Sequence, residues 1–140
     1  MCITTSNTFI HLVEYCETDA MKIVHHAEYI KWMEYARHHF LTMHDFDCAA
    51  IEQDCGVMLP ILSVSIDYKS MTRFGDTVEI LTEMKKFNGV YLDFTYQIRD
   101  YATKKIRAVG STRSGFIDRE YHPILLRDSY PDYYEKLEKI

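Results

Sequence analysis

Alternating apolar and polar residues predict a series of β-strands along the chain, and one long helical pattern interrupts them. Residues 9–15 are rich in β-favouring types and predict a first strand. Residues 27–43 follow a 3.6-residue period and predict a helix, with Arg37 as the odd member of its apolar side. So broad an apolar arc indicates that protein surrounds the helix. The arc consists of Tyr29, Ile30, Trp32, Met33, Ala36, Phe40, Leu41 and Met43.

Four further strands are predicted after the helix, with turns at Phe74-Gly75-Asp76, at Asn88-Gly89 and over Asp100–Lys104. The Asn-Gly pair is the strongest hairpin signal, because both residues accept positive φ. In the first of these strands, one face is expected to be buried. That face consists of Leu62, Val64, Ile66 and Tyr68. The other predicted segments are residues 78–84, 90–98 and 106–117, followed by a short helix over 131–140.

The order of elements, one strand, one long helix and then four strands, predicts an α+β fold. We expect the helix to lie along the apolar face of an antiparallel sheet. The sequence contains no internal repeat and no linker-like segment. A single domain over residues 1–140 is therefore expected.

Composition narrows the possible functions. With 47% hydrophobic and 26% charged residues, the 140-residue chain is typical of a folded domain. A net charge of -5 argues against non-specific nucleic-acid binding. No apolar run approaches the roughly 20 residues of a membrane span, and the polar residues 1–7 do not resemble a secretion signal. A cytoplasmic protein is expected, and Cys2, Cys16, Cys48 and Cys55 are interpreted as reduced thiols.

Candidate chemistry lies in the loop of residues 16–26, directly before the predicted helix. A helix N-terminus presents unpaired N–H groups that can stabilise a developing oxyanion. Asp19 lies seven residues before His26, so its carboxylate could fold back towards that terminus. There it could attack an acyl carbon or activate water. The alternative is that Asp19 only caps a turn, and spacing alone favours that alternative.

The segment from Val13 to Arg37 resembles the signature of the 4-hydroxybenzoyl-CoA thioesterase family. The family shows an acidic start, then A-x-G-x-V-x-H-x-x-Y, then a helix ending near Ala-Arg. The turn at Phe74-Gly75-Asp76 also resembles the family's F-G-D-x-V turn. The residues that match in register are Thr18, Asp19, Ala20, Val24, His26, Tyr29, Glu34, Ala36 and Arg37.

This resemblance implies a hotdog fold, in which an antiparallel sheet wraps a long helix, and an acyl-CoA thioesterase activity. It implies that two subunits join their sheets, giving a homodimer or homotetramer with active sites at the interface. Asp19 would be the catalytic carboxylate, and the backbone N–H of His26 would polarise the thioester carbonyl. No metal or redox cofactor is implied. The residues expected to bind the substrate are Val24, His25 and Tyr29, with Lys85 and Lys86 at the CoA phosphates.

Two positions depart from the family pattern. Lys22 stands where Gly is usual, and Gly permits positive φ. Glu28 stands where Asn is common and adds a negative charge at the helix start. Both departures affect the loop that carries the candidate chemistry.

Several alternatives compete with the thioesterase hypothesis. The protein could be a non-catalytic acyl-CoA-binding module, or a hotdog hydratase or dehydratase acting on enoyl or hydroxyacyl thioesters. A metal bound by Asp19, His25 and His26 is possible in principle, although no chelating spacing supports it. Cys16 has no evident base beside it and is expected to be a buried, inert thiol. Lys85 and Lys86 could simply be a solvated strand end.

Overall fold

The computed structural model describes residues 5–140 and contains a five-stranded antiparallel sheet. The strand order is β1-β3-β4-β5-β2, so β1 and β2 form the two edges. The strands are β1 (Ser6–Leu12), β2 (Ile61–Tyr68), β3 (Thr77–Phe87), β4 (Leu92–Asp100) and β5 (Ile106–Ser114). Residues 1–4 of the polar N-terminal segment, Cys2 among them, lie outside the described part.

Helices occupy one face of the sheet and the C-terminal part of the chain. They are α1 (Glu28–Met43), α2 (Cys48–Cys55), α3 (Leu126–Ser129) and α4 (Pro131–Glu138), and Tyr15–Glu17 forms one 3-10 turn. The long helix and the C-terminal helix confirm the sequence predictions. Within residues 5–140, no helix is long and apolar enough to cross a membrane.

The core lies between α1 and the inner face of the sheet. Trp32, Met33 and Phe40 on the helix are fully buried and face strand residues such as Phe94, whose ring packs edge-on against Phe40 at 5.2 Å. A side chain at Gly110 of β5 would lie only 2.8 Å from the sulfur of Met33, so the glycine allows the helix to approach closely. This packing confirms the predicted layer of helix on sheet.

The predicted apolar arc of α1 is wrong at its two margins. Met43 and Ile30 are exposed, because the sheet covers a narrower face of the helix than the arc suggested. Arg37, the charged member of the apolar side, is buried. Arg37 also lines a cavity between α1 and α2.

The first strand lies three residues earlier than predicted. It ends at Leu12, which pairs with Thr77, the first residue of β3, so no strand continues opposite Val13. Val13 instead donates its N–H to the Asp76 carbonyl (2.9 Å) and accepts a hydrogen bond from the Gly75 N–H (3.3 Å). The Phe74-Gly75-Asp76 turn, with Gly75 at φ 88°, therefore anchors the chain as it leaves β1.

The hairpin between β3 and β4 is confirmed, but its turn is longer than two residues. Gly89 has φ 82°, whereas Asn88 accepts hydrogen bonds from Val90 N–H (3.0 Å) and Tyr91 N–H (2.8 Å) through its side chain. Val90 therefore belongs to the turn and is exposed. The inward residues of β4 are buried as predicted, namely Leu92, Phe94, Tyr96 and Ile98.

The inward face of β2 is not covered by residues 5–140. Val64, Ile66 and Tyr68 lie opposite Thr112, Gly110 and Ala108 of β5 and so point to the helix side of the sheet. The predicted burial of this face is nevertheless wrong. Leu62 is 54%, Val64 41% and Tyr68 45% exposed, because α1 covers little of this edge strand, which it contacts where Tyr29 packs against Tyr68. An exposed apolar edge strand is a surface on which another chain can pair.

Candidate active site

The loop before α1 folds into a tight hairpin that presents Asp19. Thr18 and Val24 form an isolated antiparallel bridge, and the Asp19 N–H donates to the Ile23 carbonyl at 2.9 Å. Lys22 closes the turn with φ 65° and donates its N–H to the Asp19 carbonyl (2.9 Å). The lysine thus adopts the conformation that glycine would take more easily, at a cost of about 1 kcal/mol.

One oxygen of the Asp19 carboxylate caps the turn, and the other makes no hydrogen bond to residues 5–140. Its Oδ1 accepts the N–H of Met21 at 2.8 Å, so the turn-capping interpretation is correct as far as it goes. Within residues 5–140, Oδ2 accepts no hydrogen bond, and the side chain is half-buried. Capping by one oxygen orients the carboxylate and leaves the other available for chemistry.

Asp19 and His26 meet on one cleft of about 330 Å³. The hairpin, the start of α1 and the end of β2 form its walls. The residues lining the cleft are Asp19, Met21, Ile23, Val24, His26, Tyr29, Tyr68, Lys69, Ser70 and Met71. Four of the residues named from the sequence, Asp19, Val24, His26 and Tyr29, are therefore brought together here.

The backbone of His26 is fixed, but its N–H has no acceptor in residues 5–140. Its carbonyl accepts the Tyr68 hydroxyl at 2.7 Å, which holds the peptide in place from β2. Val24 differs, because its N–H donates to the Thr72 carbonyl at 2.8 Å. Of these two predicted contact residues, His26 therefore has a free backbone N–H within residues 5–140, whereas that of Val24 is engaged.

Two tyrosines form an aromatic wall of the cleft. The rings of Tyr29 and Tyr68 pack edge to face at 5.2 Å, and the Tyr29 hydroxyl donates to Thr72 Oγ1 at 3.0 Å. Burial raises the pKa of Tyr29 and of Tyr68 above the usual value, so both remain neutral near pH 7. The wall is therefore apolar on its face and uncharged at its tips.

His25, predicted to bind the substrate, contacts His26 rather than the cleft itself. Its ring stacks on the His26 ring at 4.2 Å, its Nδ1 accepts the Ala27 N–H at 3.1 Å, and it is not among the lining residues. Within residues 5–140 no group of three or more His, Cys, Asp or Glu side chains is placed to hold a metal ion. Cys16 is exposed, so its predicted burial is wrong, because the 3-10 turn directs it outwards.

Lys85 and Lys86 lie far from the cleft within the same chain. The hairpin of Asp19 follows the end of β1 that pairs with Thr77, and Lys85 lies eight residues further along β3, about 27 Å away. Both lysines are exposed, and Lys85 Nζ pairs with Glu83 Oε2 at 2.6 Å. From this position they could meet only the part of a CoA ester that is remote from the thioester.

Glu17 is a buried carboxylate that supports the hairpin and that sequence reasoning missed. Its Oε1 accepts the Glu14 N–H (2.8 Å) and contacts His11 Nε2 (2.8 Å), while its Oε2 accepts the Trp32 indole N–H at 2.6 Å. Its carbonyl accepts the His25 N–H at 2.9 Å. Glu17 thus connects β1, the hairpin and α1. The spacing of Glu14 and Glu17, which forms a capping box, is the sequence signal that could have revealed it.

Replacing Glu17 with Gln should destabilise the protein in a pH-dependent way. Burial raises the pKa of Glu17, but the hydrogen bonds from Glu14, His11 and Trp32 outweigh burial and hold the pKa below its usual 4.5. The carboxylate therefore stabilises the fold above about pH 4.5, and this contribution is lost as the pH falls through the folded-state pKa. We expect a loss of about 1–3 kcal/mol in unfolding free energy at pH 7.

Urea unfolding of wild type and Glu17→Gln across pH 3–7 measures this loss. The difference should shrink as the pH falls from 4.5 through the lowered folded-state pKa of Glu17. Glu120→Gln, on the exposed surface, is the control and should change neither the unfolding free energy nor its pH dependence. A difference that stays constant over the whole pH range would show that the ionised carboxylate is not the stabilising species.

The chain resembles several known proteins in structure and in sequence. A "DHNA-CoA Thioesterase" from Staphylococcus aureus superposes with a TM-score of 0.90 at 25% identity, covering 96% of this chain and 89% of that one. The hypothetical protein TT1821 from Thermus thermophilus superposes with a TM-score of 0.86 at 27% identity, covering 96% and 97%. In sequence, "Putative acyl-CoA thioesterase YneP" of Bacillus subtilis is 33% identical over 91% of both chains. "Acyl-CoA thioester hydrolase YbgC" of Escherichia coli is 34% identical over 61% of this chain and 63% of that protein.

The fold, the cleft and these similarities define a thioester hydrolase of the hotdog fold, which confirms the fold and the enzyme class predicted from the sequence. The model of the thioesterase-like superfamily matches residues 13–130. The chain therefore belongs to the thioesterase-like superfamily.

Proposed function

We propose that the protein hydrolyses acyl-CoA thioesters to a free acid and CoA, with Asp19 as the catalytic carboxylate. One observation carries the proposal: Asp19, with a carboxylate oxygen that has no hydrogen-bond partner within residues 5–140, and His26, with a backbone N–H that has no acceptor there, line the same cleft. A thioester carbon can be attacked between two such groups. The names of the relatives YneP and YbgC support acyl-CoA as the substrate.

In the proposed reaction, the thioester carbonyl accepts a hydrogen bond from the His26 N–H, which stabilises the oxyanion that forms on attack. Asp19 either attacks the acyl carbon, giving a mixed anhydride that water then hydrolyses, or removes a proton from an attacking water. On either route the C–S bond breaks and CoA leaves as the thiolate, which needs little acid assistance. Val24, Tyr29 and Tyr68 exclude water from the acyl side of the cleft.

We further propose that two chains pair through the free edge of β2, giving a homodimer or a dimer of dimers. The uncovered apolar side chains Leu62, Val64 and Tyr68 of this edge strand support this, and Val64 and Tyr68 lie on its helix-facing side. Met71, which lines the cleft and is exposed, extends the same apolar surface. A partner covering this surface would close the cleft of Asp19 from the β2 side.

A panel of acyl-CoA esters in a thiol-release assay tests the proposed function. Straight-chain and aryl thioesters should release free CoA at different rates, and the fastest ester defines the acyl preference. Tight binding without thiol release would favour a non-catalytic module. A change in absorbance of the enoyl bond without thiol release would favour a hydratase or dehydratase.

We propose that Lys85 and Lys86 contact the CoA phosphates, and replacing both with Ala should raise KM with little change in kcat. Contacts far from the carbonyl bind the substrate and the transition state alike, so the loss appears in KM. We expect a roughly three- to tenfold increase at low salt that diminishes as salt screens the charges. Lys139→Ala is the control, and an unchanged KM in the double variant would assign both lysines to the solvated strand end.

A further inference from the structure

A second cavity, of about 610 Å³, lies at the opposite end of β2 from the Asp19 cleft. It separates α1 from α2 and from residues 57–61, which lead into β2. Leu41, Val57 and Leu59 contribute apolar walls. The lining residues of this cavity and of the Asp19 cleft do not overlap. It is therefore a distinct feature of the fold.

Arg37 supplies a buried positive charge to this cavity. It is only 6% exposed, and Nη1 donates one long hydrogen bond, 3.4 Å, to the Tyr96 hydroxyl. Tyr96 in turn contacts Thr112 Oγ1 at 2.8 Å, so it is fixed from β5. The nearest carboxylate oxygen, Oε1 of Glu34, lies 3.9 Å from Nη2, too far for a hydrogen bond. A guanidinium carries five donors, so most of the capacity of Arg37 is unused by residues 5–140.

The other polar residues of the cavity do not neutralise Arg37 in the interior. Glu34 is 56% exposed at its side chain and Glu52 is exposed, so water and salt screen both charges. Asp47 uses Oδ1 to cap α2. Burial raises the pKa of Cys48 to about 11, so this thiol is neutral. Among the lining residues, Arg37 is thus a buried charge whose nearest carboxylate, Glu34, is exposed and beyond hydrogen-bond distance.

We propose that this cavity binds a carboxylate at the far end of the acyl group, and that Arg37 selects thioesters of dicarboxylic acids. A carboxylate matches the planar fork of a guanidinium and can accept two parallel hydrogen bonds from it. The apolar walls fit the methylene chain between the two carboxyl carbons. The inference rests on the proposed function, because it names the substrate class of the same hydrolysis.

In the proposed dimer, the cavity of one subunit lies next to the Asp19 cleft of the other subunit. Within one chain the ends of β2 are about 24 Å apart, which separates the two sites. Antiparallel pairing of two β2 edges about a twofold axis brings the Ile61 end of one strand beside the Tyr68 end of the other. Arg37 of the partner subunit then adjoins the cleft of Asp19. The thioester would lie at Asp19 and its distal carboxylate at Arg37 of the partner subunit.

Matched substrates test the selection by Arg37. Each dicarboxylic CoA ester is compared with the monocarboxylic ester of the same length, for example adipyl-CoA with hexanoyl-CoA. Wild type should prefer the carboxylated ester of at least one length. Arg37→Met should lower kcat/KM for that ester by about 50-fold or more and for its partner by less than about threefold, and Arg37→Lys should recover part of the loss. Arg127→Met, on the exposed surface, is the control.

Other outcomes overturn the inference. Equal losses on both esters would make Arg37 a structural residue, and a wild type that prefers the uncharged ester at every length would exclude a carboxylate site. Calorimetry with free adipate and glutarate separates this inference from the proposed function. Binding of either diacid to wild type but not to Arg37→Met supports the carboxylate site even if no thioester is hydrolysed. If neither diacid binds and wild type does not prefer the carboxylated esters, the site is rejected.

A mixed dimer tests where the site is assembled. A purified heterodimer of one Asp19→Asn chain and one Arg37→Met chain contains one intact pairing of Asp19 with Arg37 across the interface. It should show about half of the wild-type kcat towards the preferred dicarboxylic ester, although each parental homodimer is deficient. If Asp19 and Arg37 act within one chain, the heterodimer has no intact site and shows no recovery, which would contradict the assembly across β2.

Discussion

Replacing Asp19 with Asn is expected to lower kcat by about a hundredfold or more. Asn has the shape of Asp and keeps an oxygen that can accept the Met21 N–H, so the hairpin should fold as before. It can neither attack the acyl carbon nor remove a proton from water. Thiol release at saturating acyl-CoA measures kcat, and calorimetry with CoA should show nearly unchanged affinity.

Asp118 provides a matched control for this substitution. Its Oδ1 accepts the N–H of Glu120, two residues ahead, at 2.9 Å, which is the same turn geometry that Asp19 forms with Met21. Asp118→Asn should leave kcat unchanged. If Asp19→Asn also keeps a near-normal kcat, then Asp19 is only a turn cap and the proposed mechanism is wrong.

The second large effect is expected at the β2 edge. Glu at both Leu62 and Val64 should dissociate the dimer and reduce activity by more than about tenfold, because two buried charges at a sheet interface are costly and the cleft would lose its covering partner. Both side chains are already exposed within the chain, so the fold of the subunit should survive. Analytical ultracentrifugation across a dilution series, in parallel with activity, measures both consequences.

The opposite edge of the sheet supplies the control. Ile10 and Leu12 of β1 are also exposed apolar residues on an edge strand, at 53% and 61%. Glu at both of these positions should leave the mass and the activity unchanged. Dissociation by the β1 substitutions but not by the β2 substitutions would place the interface at β1 and contradict the proposed pairing. An active monomer would exclude a site shared between subunits.

The sequence predicted the elements whose pattern depends on local periodicity. The long helix and the alternation of β4 are correct because one face of each contacts the same core, and the turns at Gly75 and Gly89 are correct because both glycines adopt positive φ. The helix α2 was missed, although Asp47 caps its start and Gly56, with φ 78°, ends it. It is short and only Ile51 is buried, so it produces little periodicity.

Predictions that depend on tertiary placement were less reliable. The inward face of β2 has the right pattern, but its burial depends on which strands the helix covers, and that follows from strand order rather than from alternation. In the site, resemblance identified Asp19 and His26, and the structure adds which atoms are unbonded. Glu17 and Arg37 are buried charges whose partners lie far along the chain, such as Trp32 and Tyr96, and periodicity contains no information on those contacts.

The most direct test of the central proposal is mass spectrometry of the products formed from an acyl-CoA ester in ¹⁸O-labelled water. Hydrolysis predicts unlabelled CoA and an equimolar amount of free acid that carries oxygen from the solvent, with this product nearly absent for Asp19→Asn. An intact CoA ester that gains labelled oxygen would reveal hydration of an enoyl thioester, and an unchanged substrate across the acyl panel would reveal a binding module. Either result would contradict hydrolysis at the Asp19 cleft.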